Sequence, residues 1–292
     1  MSEVPSHRAR VRGSTRLAGV IGWPVEHSLS PVIHNSAFIA LGMDWVYVPL
    51  PVAPGRLPAA IAGLPALGLA GANVTMPHKT ECAQLIDDLS EEARLLWAVN
   101  TIVVDADGVS GHNTDAHGFE RFLREDAGFD PGGRSALLFG AGGAARACAL
   151  ALARAGLARL VVAVREPSRA NDLRACLDGF GTALSVTAVD DAAGAEADLI
   201  VNATPLGLDG ESLPLPKLGP NVVAVDLLYA PSTTPLQVAV REAGGSAFGG
   251  LGLLLQQAAI SFELWTGQAA PLAVMSAAAL AELTEPGPSA QV

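Results

Sequence analysis

The chain has 292 residues, half of them hydrophobic and 16% charged, which fits one large domain or two ordinary ones and excludes wholesale disorder. Eighteen Lys and Arg against 29 Asp and Glu give a net charge of −11. That balance argues against a sequence-independent nucleic-acid binder, which needs a basic face to replace phosphate counterions.

No apolar stretch runs far enough to span a bilayer; even Ala136–Leu157 is broken by Arg146 and Arg154. Cys82, Cys148 and Cys176 are an odd set in no ligand pattern, so neither a disulfide framework nor a structural zinc site is expected. Arg8, Arg10, Arg12 and Arg16 precede no apolar run, so the N-terminus does not read as a secretory signal and a cytoplasmic location is expected. About the first 15 residues and the tail from Glu285 read as frayed ends.

In chain order, LAGVIG (Leu17–Gly22) reads as a strand and Ser30–Met43 as a helix, with Ser30 as N-cap, Pro31 at N1 and Gly42 near the end. Trp45–Leu50 and Ala72–Thr75 read as strands. Pro77 opens a helix to about Ile86, and another follows Ser90. Thr101–Asp105 and Gly108–Asn113 flank a turn signal and read as a hairpin. A helical pattern from Asp115 to Phe129 leaves this first unit.

A second series begins at Ser135. Strands are expected in ALLFG, RLVVAV, ADLIVNA and VVAVDLL, and helices near Ala144–Ala155, Ser168–Leu177 and Pro235–Ala243. Strands alternating with helices at this spacing predict βαβ units and a parallel sheet. The reading is two α/β units, split near residue 113.

Gly140-Ala141-Gly142-Gly143-Ala144 ends a predicted strand and opens a predicted helix, the setting of a dinucleotide-binding turn. Small residues let backbone approach a pyrophosphate, and the helix start offers unpaired N–H groups. Past the next strand, Arg165 and Arg169 suit the 2′-phosphate of NADP, while Glu166 between them suits the ribose hydroxyls of NAD.

In the first unit, Ser28 and Ser30 stand two apart in a segment that reads as an extended approach to a helix, which would point both hydroxyls the same way. Thr75, Asn100 and Asp115 stand at predicted strand ends, where ligands of open α/β sheets bind. Lys79 falls in the first turn of the helix after Pro77. The helix dipole there should lower its pKa, while Asp115 should act the other way. His27, His34, His78, His112 and His117 flank these motifs without metal-ligand spacing, and no metal is expected. Trp23, Trp45, Trp97 and Trp265 read as core or domain-packing residues.

The segments GWPVEHSLSPVIHN, ANVTMPHK, AVNT, HNTDAHGF, GAGGAAR, NATPLG, DLLYAPSTTPL and GLGLLLQQAA, in that order, strongly resemble the shikimate dehydrogenase family. The resemblance implies an N-terminal α/β substrate domain (1–113, with the C-terminal helices 253–292 packing back on it) and a doubly wound Rossmann-type NADP domain (114–252). It implies reversible NADPH-dependent reduction of 3-dehydroshikimate to shikimate, in the chorismate route to aromatic amino acids. The small-molecule substrate and coenzyme are then its only implied partners, and the chain is expected as a monomer or homodimer.

By the same resemblance, Ser28 and Ser30 hold the substrate carboxylate, and Thr75, Asn100, Asp115 and Gln257 contact the ring hydroxyls. Lys79 is the acid/base. Gly140, Ala141, Gly142, Gly143 and Ala144 form the phosphate turn. Leu227, Tyr229 and Gly250 line the nicotinamide side, Tyr229 as a substrate contact and Leu227 and Gly250 as cofactor contacts. Two segments depart from the family pattern: Ala116 replaces the first glycine of NTDGxGF, and NRTxxR reads Val164-Arg165-Glu166-Pro167-Ser168-Arg169. Both arginines survive. The alternative reading is an NAD-using quinate/shikimate or aminoshikimate dehydrogenase.

Overall fold

The computed structural model describes residues 11–229 and 233–284; the ends expected to fray at 1–10 and from 285 on lie outside these, as do residues 230–232 of the DLLYAPSTTPL segment. The fray expected up to about residue 15 is corrected in part. Ser14 Oγ and Thr15 Oγ1 each donate to the Asp44 carboxylate at 2.7 Å, and these bonds hold its pKa below the usual carboxylate range. The chain divides into two compact units, residues 1–114 with 258–292, and residues 115–257.

The first unit runs β1 (Arg16–Gly22), α1 (Ser30–Ala40), β2 (Trp45–Pro51), α2 (Leu57–Ala66), β3 (Leu69–Val74), α3 (Lys79–Leu85), β4 (Asp88–Leu89), α4 (Glu91–Leu96), β5 (Thr101–Val104) and β6 (Val109–His112). The sheet order is β2-β1-β3-β5-β6-β4. β1 pairs parallel with β2 and β3, whereas β3/β5 and β5/β6 are antiparallel. The expected hairpin is therefore present. Its turn is closed by Asp105 Oδ1, which accepts from the amides of Asp107 and Gly108. All six β3 residues are buried, as a strand covered on both faces requires.

Two helix starts differ from expectation. Leu29, not Ser30, caps α1, and Ser30 is its first helical residue. Pro77 lies in a turn ahead of α3, which His78 caps and Lys79 opens. α2 has no counterpart in the sequence reading because its two prolines look like breakers. Pro58 sits in the first turn, where no intrahelical amide is needed, and Leu57, Ile61 and Leu64 supply the buried face.

The second unit runs α5 (Asp115–Glu125), β7 (Ser135–Phe139), α6 (Gly143–Arg154), β8 (Arg159–Val164), α7 (Asn171–Cys176), β9 (Ala183–Ala188), β10 (Leu199–Asn202), β11 (Val223–Asp226), α8 (Pro235–Glu242) and β12 (Ser246–Phe248). The helix expected from Ser168 starts as a 3-10 turn, Pro167–Ala170. The strands form one parallel sheet in the order β12-β11-β10-β7-β8-β9. This is a doubly wound sheet, and the direction of strand addition reverses between β7 and β10, where such sheets open a ligand crevice. Leu137, Phe139, Ala163, Ile200 and Ala224 form its core.

The chain closes with α9 (Leu251–Thr266) and α10 (Leu272–Thr284). Within the first unit, α10 packs on α1. The Trp265 indole donates to Ile102 O at 2.9 Å over Gly71, where a Cβ would collide with the ring. No helix of the described residues is long and apolar enough to cross a membrane.

Candidate active site

At the switch point of the second sheet, β7 is followed by Gly140 with φ +102°, a conformation only glycine adopts without strain. A Cβ there would sit 3.1 Å from Ala203 O and from Thr204 Cγ2, so the turn also needs glycine for room. A Cβ on Gly142 or Gly143 would meet nothing within 4 Å. Gly142 caps α6 with no side-chain acceptor, leaving amides of the first turn for a ligand.

A cleft of about 780 Å³ opens here, lined by Gly140, Ala141, Gly142 and Gly143 and by Arg165 and Arg169. Ala144 lies in the first turn of α6 and does not line it. Size, glycine cradle and helix start together fit a dinucleotide. The cleft is also lined by residues that the sequence does not single out, among them Arg146, Thr204 and Glu211. Arg146 is 13% exposed, pairs with Asp172 at 3.3 Å and keeps a buried Nε without a partner. Its position in GAGGAAR was the available signal. Glu166 lies 3.6 Å from Arg169 Nε.

The loops after β10 and β11 are tied by buried polar groups. Asn202 Oδ1 accepts from Thr204 N and Oγ1, while Asn202 Nδ2 donates to Leu206 O and to Asp226 Oδ1. Asp226 also accepts from Leu228 N and Thr234 Oγ1. Burial raises its pKa against these bonds. This network fixes the segment carrying Leu227 and the exposed Tyr229. Gly250 comes so close to Leu227 that a Cβ would collide with its carbonyl, so these two predicted residues are brought together.

In the first unit, the carboxyl ends of β1 and β3 lie side by side, since the strands are parallel neighbours. Ser28 and Ser30 follow β1, and Thr75 follows β3. The serine segment is not extended. Ser28 N donates to Val25 O in a turn, Leu29 is α-helical, and Ser30 N donates to Ser28 Oγ at 3.3 Å. A turn and a hydrogen bond, rather than strand alternation, therefore bring the two serines together.

Because β5 is antiparallel to β3, its start lies at the same edge, and Val74 N donates to Asn100 O at 2.8 Å. Asn100 is buried and its amide orientation is set, because Oδ1 accepts from Thr114 N at 2.8 Å. Lys79 is half-buried, and its carbonyl accepts from Val99 N at 2.9 Å. Thr75, Lys79 and Asn100 thus gather at one edge of the first sheet.

Asp115 is the residue after Thr114 and opens α5, with Ala116 buried behind it. Gln257, on α9, packs its backbone on Gly118, where a Cβ would come within 2.8 Å. That contact accounts for Gly118, the one glycine of HNTDAHGF. The Gln257 amide donates to Leu254 O.

Two tryptophan expectations are corrected. Trp45 and Trp265 are buried, but Trp23 is 48% exposed and Trp97 50%. Trp97 caps the end of α4 in a left-handed conformation. His78 bonds Val52 O and His112 bonds Ser110 Oγ, while His34 lies in an aromatic cluster.

Residues 20–102 match the family model described as shikimate dehydrogenase substrate binding domain, and residues 250–280 match that described as shikimate 5′-dehydrogenase C-terminal domain. The chain is 45% identical over 286 residues to a curated protein of Citrifermentans bemidjiense named shikimate dehydrogenase (NADP(+)), covering 95% of this chain and 99% of that one. It is 49% identical over 266 residues to a protein of the same name from Rubrobacter xylanophilus, covering 88% and 93%. Among solved structures it is similar to shikimate 5-dehydrogenase from Listeria monocytogenes, in complex with shikimate and NAD, with TM-score 0.87, 35% identity and coverage of 92% and 97%.

Proposed function

The chain belongs to the shikimate dehydrogenase family, and from that membership we propose that it reversibly reduces 3-dehydroshikimate to shikimate with NADPH. The observation that supports this reading best is the gathering of Thr75, Lys79 and Asn100 at one sheet edge, beside the serine turn of Ser28 and Ser30.

In this reading the two serine hydroxyls donate to the substrate carboxylate. Thr75, Asn100, Asp115 and Gln257 hold the ring hydroxyls, and Tyr229 flanks the ring. NADP, when bound, supplies or accepts the hydride. Reduction leaves charge on the carbonyl oxygen, and the Lys79 ammonium delivers the proton there; in oxidation its amine takes the proton back. Asp115 orients that ammonium. The Gly140–Ala144 turn takes the pyrophosphate, Arg165 and Arg169 take the 2′-phosphate, and Leu227 and Gly250 border the nicotinamide.

Shikimate-dependent reduction of NADP by the purified protein tests the reading. Absence of turnover with shikimate under both NADP and NAD overturns it. One observation favours a second reading, an NAD-using quinate/shikimate dehydrogenase: the Glu166 carboxylate stands 3.6 Å from Arg169 and competes for the phosphate-binding cation. Parallel assays with both coenzymes on shikimate and quinate separate the two. A cytoplasmic location is part of the proposal, supported by three buried cysteines that form no disulfide among the described residues.

A further inference from the structure

One buried polar chain in the first unit joins Tyr47 and Ser261, which lie in no motif described above, to Ser30, Asn73, Asn100 and Thr101, which do. It starts at Tyr47 on β2, whose ring is fully buried. The phenol donates to Asn73 Oδ1 at 2.6 Å, and the Ser30 side chain lies beside the same phenol. Asn73, 6% exposed on β3, turns its Nδ2 to three acceptors: Asn100 O at 3.2 Å, Thr101 Oγ1 at 3.1 Å and Ser261 Oγ at 3.0 Å. Thr101 Oγ1 in turn donates to Asn100 Oδ1 at 3.0 Å.

An amide carries two N–H groups, so three acceptors leave one of these bonds shared. The Asn73 side chain would therefore be weakly held by its donors alone. The phenol settles it: by donating to Oδ1 it fixes which end is oxygen and keeps Nδ2 facing Asn100. Thr101 and Ser261 are fully buried, and water has little access to replace a lost partner.

We propose that Tyr47 is a positioning residue for the substrate, acting through Ser30 at one end and through Asn73 and Asn100 at the other. This rests on the proposed function, in which Ser30 holds the carboxylate and Asn100 a ring hydroxyl. The phenol and the Asn73 amide set the spacing between those two anchors, and so the fit of a ring carrying a carboxylate at one end and hydroxyls at the other. Tyr47 touches no reacting atom; its effect falls on binding in ground and transition states alike.

The test is Tyr47→Phe, which keeps the stacked ring and removes the hydroxyl, with Ser261→Ala loosening Asn73 from the other side. KM for shikimate, and its Kd by titration calorimetry without coenzyme, should rise about tenfold in Tyr47→Phe and about threefold in Ser261→Ala. Both kcat and KM for NADP should stay within about threefold. In a Ser30→Ala background Tyr47→Phe should cost distinctly less than it does alone, since part of its path is already cut. A lower Tm with unchanged shikimate Kd in both variants, or full additivity with Ser30→Ala, overturns the proposal. A wild-type protein that neither binds nor oxidises shikimate overturns the proposed function, and the positioning role with it. Wild-type turnover with unaltered variants overturns the positioning role alone.

Discussion

The imidazole of His34 lies stacked on the phenol of Tyr47, with ring centroids 4.5 Å apart and planes 16° from parallel. Phe38, Phe262 and Trp265 complete the surroundings, and neither ring nitrogen reaches a partner in hydrogen-bond geometry. Burial pushes the His34 pKa down to about 3, and the neighbouring Asn73 side chain offsets only part of that. The folded protein therefore keeps this ring neutral where the unfolded chain protonates it.

Stability should consequently be independent of His34 above pH 6.5 and fall below it, down to about pH 3. One proton taken up only by the unfolded state costs about 1.4 kcal/mol per pH unit in that window. Urea unfolding across this range should show an acid-side slope that is shallower by about one proton in His34→Phe. Equal slopes in the two proteins would remove His34 as the cause.

Lys79→Ala should lower kcat by roughly 10²–10⁴, the usual contribution of a general acid/base, with a smaller change in KM. Steady-state kinetics with shikimate and NADP measure both constants. A variant of near-normal kcat would rule out the proton-transfer role.

Ser28 Oγ accepts the amide of Ser30, so it shapes the turn as well as offering a donor. Ser28→Ala should raise KM for shikimate about tenfold and leave kcat nearly alone, because a carboxylate contact persists from ground state to transition state. An unchanged KM would place the carboxylate elsewhere.

Glu166 and Arg169 are both exposed, so their pairing adds little to stability, but it occupies a cation of the cleft in which NADP is proposed to bind. Glu166→Gln should raise kcat/KM for NADPH relative to NADH by about three- to tenfold with no change in Tm. An unaltered coenzyme ratio would show that the carboxylate takes no part in the choice.

Gly118→Ala would put a methyl 2.8 Å from Gln257 N and 2.9 Å from its Cβ. Backbone cannot yield as a flexible side chain does. The substitution should cost about 1–3 kcal/mol in denaturant unfolding and weaken shikimate binding through Gln257. Wild-type stability in this variant would contradict the close approach of α9 to α5.

Much of the architecture is written locally. The strand–helix alternation shows because buried parallel strands are short apolar runs, and the dinucleotide turn shows because a positive φ and a crowded Cβ position both demand glycine at residue 140. The elements that escape detection lack such a signature. α2 hides behind Pro58 and Pro65, and β9 and β12 are edge strands without a continuous apolar run. Ser28 and Ser30 are legible as a pair, but their geometry comes from a turn that the spacing does not encode. Arg146 reads in the sequence as a break in an apolar helix, and the fold turns it to the cleft. Tyr47, Asn73 and Ser261 stand far apart in the chain, and nothing near any of them announces the others.

The first unit is discontinuous: Ser261, Phe262 and Trp265 fill its core from beyond the second unit. During synthesis the early strands therefore emerge without the indole that covers Gly71 or the hydroxyl that meets Asn73. The uninterrupted residues 115–257 have all their partners in hand first, and the amino-terminal sheet must wait, partly uncovered, for the end of translation. A released chain truncated shortly before residue 258 would thus carry a finished coenzyme lobe tethered to an incomplete, protease-sensitive substrate lobe.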